Sequence, residues 1–472
     1  MSKVKDRYRM GFHLMPPTGW LNDPNGCCQF KGTYHVFHQY MPNYPNTFPR
    51  AWGHAYSDDL VTWHHTGLSI REDSPFDAHG AYSGCGFVEG AGDTLRIFYT
   101  GNFKEPGEHD FTYEGRWAFQ ITTTTTDALT FTKKEVVLSP QDYPDYCTCH
   151  VRDPKVWVQD NGDGRPYRML LGARDVDDNG FIMVYDSRDK LDWRLRSTVR
   201  AKEHFGYMWE CPDRLAFADD KGKMHEFLVF CPQRTAEETP EHENRDITGY
   251  MPMPGFVLNA TTIDTSKFIR WDHGFDFYAS QDFVDEGGRS IMFAWMGLPD
   301  SPFVSQKKSM NWSQCITVPR LITMGPDGLL RQNPVPELER LREQEVTPKK
   351  HKLTFSQHRA DVVVSGIEGD FTLSLDGALK MKFADGKATL KFTGDPKIAG
   401  GRDERSCELP AATDVRVLVD SSAVEFFVNG GKECFATRWF PKAKHLTVKL
   451  RGTYGDVKAW EMGDGMRDTY EA

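Results

Sequence analysis

The sequence lacks the features of several large classes of protein. It has no long basic run, and 57 Lys and Arg residues against 67 Asp and Glu residues give a formal net charge of −10. The electrostatic signature of a nucleic-acid binder is therefore missing. No window is apolar over the length needed to span a bilayer, and the first residues lack the apolar core of a secretion signal. We expect a cytoplasmic protein with no nucleic-acid partner and no membrane partner.

Paired cysteine motifs are also missing. The ten cysteines form no C-x-x-C pair and no regular framework, which predicts free thiols in an intracellular protein. Cys147, Cys149 and His150 lie close in sequence, but the spacing is too tight for a zinc site and no second ligand pair follows. We predict no metal and no cofactor.

The residues that are abundant favour β-structure. There are 41 glycines and 27 prolines to supply turns, and 13% of the residues are aromatic, which favours strands over helices. A chain of 472 residues is too long for one ordinary core and suggests two domains. An all-β protein is the first expectation.

Five stretches in the first part of the chain share one pattern: a polar residue, an apolar strand, a Gly- or Asp-rich turn, and a second strand rich in aromatics. The leading polar residues are Asp23, Ser83, Asp153, Glu210 and Asp276. Between these stretches a short polar turn recurs and closes on Trp63, Phe131, Trp193 and Trp271. Four strands per unit and five units predict a five-bladed β-propeller over residues 1–331, with the leading residues directed into its channel. An irregular β-sandwich is the alternative, because the units are longer than those of common propellers.

The pattern changes from Gln332 onward. The segment NPVPELERLREQEV predicts a short helix, and we assign residues 332–345 to a helical linker. Alternating segments broken by Asp-Gly and Asn-Gly turns follow, and they predict a β-sandwich domain over residues 346–472.

Three of the leading residues are acids beside prolines. Asp23 and Asp153 directly precede a proline, and Glu210 precedes Cys211-Pro212. Proline restricts the residue before it to extended conformations, which would preorganise Asp23 and Asp153. Alone, each acid could cap a turn, pair with an arginine or lie at a strand end. Their recurrence at the same place in three units indicates a shared site.

The segments around these acids resemble a known enzyme family. WLNDPNG (20–26), RDP (152–154) and WECPD (209–213) resemble, in order and spacing, three boxes of the glycoside hydrolase family 32 β-fructosidases. The resemblance implies a five-bladed propeller followed by a β-sandwich, and cleavage of terminal β-D-fructofuranosides with retention of configuration. It implies Asp23 as the nucleophile, Glu210 as the general acid/base and Asp153 as the stabiliser of the transition state.

Further residues are expected around a small-molecule sugar substrate. Those that we place around the fructosyl unit are Asn22, Gln39, Trp52, Ser83 and Arg152. Three tryptophans could stack on sugar faces or lie in the core: Trp20, Trp295 and Trp312. Departures from the family pattern leave the three acids intact but leave specificity open: Leu21, Tyr82, Val151 and the segment PRLI (319–322).

Four functions remain open at this point. They are a hydrolase of sucrose, sucrose 6-phosphate or short fructo-oligosaccharides; an exo-inulinase or levanase; a fructosyltransferase; and a non-catalytic fructan-binding module. The intact acids argue against the last, because a lectin needs no proton donor beside a nucleophile. A phosphorylated substrate would favour Arg50 or Arg234 near the leaving group. The oligomeric state stays open between monomer and homodimer.

Overall fold

The computed structural model describes residues 6–45, 50–219, 221–235, 244–253, 261–299 and 311–466. Within these ranges the protein is built almost wholly of β-strands. The helical segments found there are short 3-10 helices at Pro140–Asp142, Thr265–Lys267, Pro336–Leu341 and Pro396–Ile398. None of the helices in the described ranges is long and apolar enough to cross a membrane.

The first part of the chain forms many short strands. In chain order they are β1 (Gly19–Phe30), β2 (Thr33–Met41), β3 (Ala51–Ser57), β4 (His64–Ile70), β5 (Ala81–Val88), β6 (Leu95–Lys104), β7 (Arg116–Thr125), β8 (Glu135–Leu138), β9 (Cys147–Val158), β10 (Tyr167–Asp175), β11 (Gly180–Ser187), β12 (Trp193–Ala201), β13 (Trp209–Ala218), β14 (Met224–Pro232), β15 (Gly249–Pro252), β16 (Thr261–Ile263), β17 (Ile269–Arg270), β18 (Tyr278–Val284), β19 (Ser290–Trp295), β20 (Trp312–Ser313), β21 (Arg320–Met324) and β22 (Leu330–Pro334).

These strands form the five blades of a propeller. In the described residues each blade is a four-stranded antiparallel sheet. The first three blades consist of β1 to β4, β5 to β8 and β9 to β12. The fourth blade consists of β13, β14, β15 and β17, and the fifth of β18, β19, β21 and β22. Two short strands extend other blades in parallel: β16 pairs with β12, and β20 pairs with β1. Because β20 lies in the connection between β19 and β21, it links the last blade to the first. The five-bladed prediction is confirmed, and the irregular sandwich is wrong for this part of the chain.

The recurring polar turn has one geometry in the first three blades. The hydroxyl oxygens of Ser57, Thr125 and Ser187 each accept a hydrogen bond of 3.2 Å from the N–H of the aspartate two residues later. That aspartate then accepts backbone N–H groups two and three residues further on. Such side-chain to backbone bonds are the reason for the Ser/Thr-x-Asp spacing.

Each innermost strand carries a β-bulge. The pairing register shifts by one residue between Leu21 and Pro24 in β1, and at the corresponding places of β5, β9, β13 and β18. At the bulges Asp153 has φ = 66° and Cys211 has φ = 47°. The expectation that proline keeps Asp153 extended is therefore wrong, because the bulge holds it in the left-handed region.

The second part of the chain is a β-sandwich. Its strands are β23 (Arg342–Glu345), β24 (Lys352–Thr354), β25 (Arg359–Ser365), β26 (Glu368–Leu375), β27 (Leu379–Ala384), β28 (Lys387–Phe392), β29 (Glu404–Glu408), β30 (Asp414–Asp420), β31 (Ala423–Val428), β32 (Glu433–Arg438), β33 (Thr447–Thr453) and β34 (Asp456–Met462). One sheet has the order β23-β34-β25-β30-β31-β32, and the other β24-β33-β26-β27-β28-β29. A large apolar core, which includes Leu373, Val417 and Trp439, lies between them.

The segment between the domains is less helical than expected. Residues 332–345 contain the end of β22, the 3-10 helix Pro336–Leu341 and β23. β22 completes the fifth blade, whereas β23 pairs with β34 of the sandwich. Backbone pairing on both sides therefore leaves one short turn of helix, and the boundaries at residues 331 and 346 stay a prediction.

Candidate active site

The innermost strands bring polar side chains together in the channel of the propeller. A small cavity there is lined by residues of all five strands, among them Pro24, Ser83, Asp153, Cys211 and Ala279. The bulges lie at this level, so each blade turns its side chains toward the same space. Asp23 and Glu210 lie beside this cavity and act on each other electrostatically.

Asp23 is held by its neighbours in a fixed orientation. Ser83 Oγ donates to Asp23 Oδ2 (2.6 Å), and Asn22 Nδ2 donates to Oδ1 (3.0 Å). Trp20 Nε1 in turn donates to Asn22 Oδ1 (3.0 Å). Burial raises the pKa of Asp23, the Ser83 hydrogen bond opposes that rise, and the charge of Glu210 adds to it. Such an oriented carboxylate can act as a nucleophile.

Both carboxylate oxygens of Glu210 accept hydrogen bonds. Arg152 donates to Oε1 through Nε (3.0 Å) and Nη2 (2.6 Å). Gln233 Nε2 (2.6 Å) and Tyr278 OH (2.7 Å) donate to Oε2. Donors from three blades thus fix the direction in which Glu210 can exchange a proton.

The blade repeat explains why these residues meet. Arg152, Glu210 and Tyr278 each occupy the last paired position before the bulge of their innermost strand. They are therefore equivalent residues of three successive blades. Asp153 lies one residue further, inside the bulge, so the three acids do not share one position as the sequence pattern suggested.

Asp153 is the most enclosed of the three acids. Its N–H donates to Thr100 Oγ1 (3.0 Å), and its Oδ2 accepts the N–H of Cys211 (2.9 Å). Arg152 Nε lies 4.0 Å from the same oxygen. Burial raises the pKa of Asp153 to about 7, against the opposing charge of Arg152. The site can therefore retain a proton near neutral pH.

Gln39 and Trp52 support the backbone of the site through buried hydrogen bonds. Gln39 is buried and its Nε2 donates to the carbonyl of Ala81 (3.0 Å). Trp52 is fully buried and its Nε1 donates to the carbonyl of Tyr82 (3.0 Å). Both bonds fix the backbone that carries Ser83. Because Trp52 is fully buried, its ring is not available to contact a sugar.

The three tryptophans divide into two groups. Trp20 and Trp295 pack edge to face, with ring centroids 6.1 Å apart, and Trp295 also contacts Tyr278. They form an apolar wall beside the donor to Glu210. Trp312 is fully buried, and its Nε1 donates to Asp6 (2.6 Å). Trp312 is therefore a core residue, and its burial argues against stacking on a sugar.

Asp276 does not point into the channel. Its carboxylate accepts from Arg402 Nη1 (2.7 Å) and from the N–H of Arg438 (2.7 Å), both in the sandwich. The residue that takes the expected place in the fifth blade is Tyr278, at the start of β18. The expectation for Asp276 was wrong because the strand begins two residues later than the pattern indicated.

Sequence reasoning also missed three residues at the site. Gln233 belongs to the segment CPQ, which is part of the family resemblance, whereas Tyr278 follows from the blade repeat only when the bulge register is known. Tyr207 left no signal in the sequence. Its ring lies under the guanidinium groups of Arg174 (4.4 Å) and Arg234 (4.8 Å), and the charge of Glu210 acts on it.

The Cys147, Cys149 and His150 segment does not form a metal-binding group among the described residues. His150 Nε2 instead accepts from Arg116 Nη1 (3.2 Å). Burial, and then the charges of Arg152 and Arg116, lower the pKa of His150 to about 2. His150 is thus a neutral acceptor beside the arginines of the site.

Known proteins share this arrangement of domains. Residues 13–334 match the glycosyl hydrolases family 32 N-terminal domain, and residues 385–461 match the C-terminal domain of that family. The chain is 32% identical to sucrose-6-phosphate hydrolase of Bacillus subtilis (strain 168), over 92% of this chain and 90% of that protein. It is 33% identical to raffinose invertase of Escherichia coli, over 94% and 92%. The structure of sucrose-6-phosphate hydrolase from Lactobacillus gasseri superposes with a TM-score of 0.85 at 27% identity, over 98% of this chain and 95% of that one. The chain therefore belongs to glycosyl hydrolase family 32.

Proposed function

We propose that this glycoside hydrolase releases fructose from sucrose 6-phosphate by a retaining, two-step reaction. The observation that carries the proposal is that Asp23, Asp153 and Glu210 lie close enough to act on one another electrostatically, each in an orientation fixed by hydrogen bonds. Cleavage of fructosides follows from membership of the family. The assignment of roles and the phosphorylated substrate are the proposed part.

In the first step, the Asp23 carboxylate attacks C2 of the fructosyl unit. Glu210 gives its proton to the glycosidic oxygen, so that this oxygen departs as a hydroxyl group and a fructosyl ester forms on Asp23. In the second step, the Glu210 carboxylate takes a proton from water. The resulting hydroxide oxygen attacks C2 and frees Asp23, and the two inversions give net retention.

Asp153 and Arg152 have supporting roles in this scheme. Asp153 would accept hydrogen bonds from fructosyl hydroxyls, and these bonds strengthen as positive charge develops at C2 and the ring oxygen. Arg152 would hold Glu210 in the orientation that faces the glycosidic oxygen in the first step and the water in the second. Its charge also limits the repulsion among the three acids.

Two arginines near the opening of the site support an anionic leaving group. In the described residues, neither Arg50 nor Arg234 forms an ion pair with a carboxylate, and both are exposed. Arg234 lies over Tyr207, and Arg50 lies over Tyr82 (5.9 Å). A guanidinium that lacks a carboxylate partner is suited to bind a phosphate. Several of the most similar relatives are named sucrose-6-phosphate hydrolases.

The test is a comparison of substrates. We would measure kcat/KM for sucrose 6-phosphate, sucrose, kestose and inulin, and the ratio of free fructose to leaving group. We expect the phosphorylated sugar to be preferred by roughly 10 to 100-fold, the contribution of one or two hydrogen bonds to a charged group. Equal amounts of free fructose and leaving group indicate hydrolysis, whereas less fructose than leaving group indicates transfer of the fructosyl unit to another sugar.

Variants of the arginines separate the substrate from the reaction type. Arg234→Gln should remove most of the preference for the phosphorylated sugar and leave hydrolysis of sucrose nearly unchanged. Arg188→Gln, on the outer part of the third blade, is the matched control. A wild-type enzyme that prefers sucrose would contradict the phosphate assignment. It would favour unphosphorylated sugars, in line with the relative named raffinose invertase.

The location and assembly of the protein are part of this proposal. All ten cysteines are free, which is compatible with a reducing compartment such as the cytoplasm. The site residues described above all come from one chain. A single subunit would therefore be sufficient for catalysis.

A further inference from the structure

His273, Cys407 and Glu433 meet where the propeller packs on the sandwich. One ligand atom from each residue lies within 4.8 Å of the other two, and His273 Nε2 is 3.0 Å from Glu433 Oε2. All three side chains are partly buried. We propose that they bind one Zn²⁺ ion, which ties both sheets of the sandwich to the propeller.

The three residues come from three separate structural elements. His273 follows β17 of the propeller, Glu433 begins β32, and Cys407 lies in β29. β32 and β29 are the last strands of their two sheets. One ion would therefore join an edge strand of each sheet to the propeller segment.

The backbone around two of the ligands is already fixed. The N–H of His273 donates to the carbonyl of Cys434 (2.8 Å), and the N–H of Asp276 donates to the carbonyl of Ala436 (3.1 Å). A Cβ atom on Gly274 would lie 2.1 Å from the carbonyl oxygen of Ala436, so only glycine permits this close contact. Because the site is held in place before an ion enters, binding costs little ordering of the chain.

The donor set selects the metal. An imidazole nitrogen, a thiolate sulfur and a carboxylate oxygen are ligands that Zn²⁺ accepts, and a water molecule would complete a tetrahedron. Mg²⁺ and Ca²⁺ prefer oxygen ligands only. A hydrogen bond would explain the contact between His273 and Glu433, but it gives no role to the Cys407 sulfur. Among the described residues, Glu433 forms no ion pair with Lys or Arg.

The expected effect is on stability and not on turnover, because none of the three residues belongs to the strands that line the channel. We would strip the full-length protein with EDTA, remove the chelator, and add Zn²⁺ or Co²⁺. Elemental analysis after dialysis should give one zinc per chain. Co²⁺ should give a thiolate-to-cobalt charge-transfer band. Zn²⁺ should raise the melting temperature by roughly 2 °C or more and leave sucrose hydrolysis unchanged.

Single substitutions identify the ligands. Cys407→Ser should lose the cobalt band and the thermal shift, and Glu433→Gln should weaken zinc binding by at least about tenfold. Cys147→Ser, a partly buried cysteine in the third blade, should retain both signals. A band that survives in Cys407→Ser, or one that is lost in Cys147→Ser, would overturn the assignment. If Cys407→Ser does not fold, wild-type protein without a cobalt–thiolate band overturns it equally.

Discussion

Glu210 shows how one residue acquires its environment from the repeat around it. Its donors include Arg152 and Tyr278, which occupy the equivalent position in the two adjacent blades. Three side chains of different chemistry thus converge because three bulges have the same register. The orientation of the Glu210 carboxylate is therefore a property of the blades and not only of Glu210 itself.

Removal of the Tyr278 hydroxyl tests this arrangement. Tyr278→Phe keeps the ring against Trp295 but deprives Glu210 Oε2 of a donor at 2.7 Å. A hydrogen bond to a charged group contributes about 1.5–3 kcal/mol, so kcat/KM should fall roughly 10 to 100-fold with little change in stability. The control is Tyr250→Phe. The buried hydroxyl of Tyr250 accepts a hydrogen bond from the N–H of Leu330 (2.9 Å). Equal effects of the two substitutions would contradict a role for Tyr278 in positioning Glu210.

The proposed roles of Asp23 and Glu210 differ in their response to the leaving group. Asp23→Ala should abolish turnover of every substrate, because no covalent intermediate can form. Glu210→Ala should lose on the order of 10²–10⁴-fold with sucrose, yet an activated aryl fructoside that departs without a proton should still load the enzyme. Azide, which needs no general base, should then release a fructosyl azide of retained configuration. Rescue of Asp23→Ala in place of Glu210→Ala would mean that the roles are reversed.

The three acids are easier to find in the sequence than the residues that surround them. Asp23, Asp153 and Glu210 lie in short segments rich in proline, and such segments are visible without a structure. Tyr278 became visible only once the bulge register was known. Trp312 could not be assigned, because the sequence does not tell whether an aromatic side chain faces the channel or the core.

At the scale of elements, the first blade contains a buried cluster of histidines. His35 Nδ1 and His54 Nε2 are 3.0 Å apart, and the rings of His38 and His65 contact each other. Burial lowers the pKa of His35 and His65 to about 4 and that of His38 to about 3. These rings are therefore neutral in the folded protein near neutral pH.

Because of this cluster, we expect the free energy of unfolding to fall in acid. The unfolded chain takes up a proton on each histidine below pH 6.5, whereas the folded blade does not, so stability is full above that pH and falls as the pH decreases. His38→Gln removes one such group. Its destabilisation relative to wild type should shrink by roughly 2–3 kcal/mol between pH 6.5 and pH 4.5. Urea unfolding at several pH values measures this difference.

The exposed residue His204 provides the control for that experiment. We would measure His204→Gln alongside, because that side chain is exposed and lies outside the buried cluster. A constant difference between His38→Gln and wild type across the same range would show that His38 titrates in the folded protein as it does in the unfolded one.

The elements themselves were predictable to different degrees. The five blades followed from recurring turns, because a Ser/Thr-x-Asp turn leaves the same residues in each repeat. The helix expected over residues 332–345 was reduced to Pro336–Leu341. Arg342 and its neighbours pair with β34 instead, and a partner so distant in sequence is not visible in a local pattern.

At the scale of the whole molecule, a buried network of charges connects the two domains. Arg320 of the fifth blade lies between Glu425 (2.5 Å) and Asp272 (3.2 Å), and all three side chains are fully buried. His13 bridges Glu425 and Asp420, at 2.9 Å from each. Burial alone would lower the pKa of His13, but these two carboxylates raise it above its usual value. The propeller and the sandwich therefore share one set of compensating charges.

Loss of one cation from this network should destabilise the whole molecule. Arg320→Met leaves the buried carboxylates of Glu425 and Asp272 without their guanidinium partner, which should cost about 3–5 kcal/mol. Arg331→Met, which removes a more exposed pair with Asp327, should cost less than about 1 kcal/mol. Because Glu425 is no longer charged, Arg320→Met combined with Glu425→Gln should cost less than the sum of the two single substitutions.

Urea unfolding followed by fluorescence and circular dichroism measures these energies. It also tests coupling of the domains, since wild type should unfold in one transition and Arg320→Met should separate the two probes. A cost for Arg320→Met no larger than that for Arg331→Met would show that the buried charges around Arg320 do not hold the domains together.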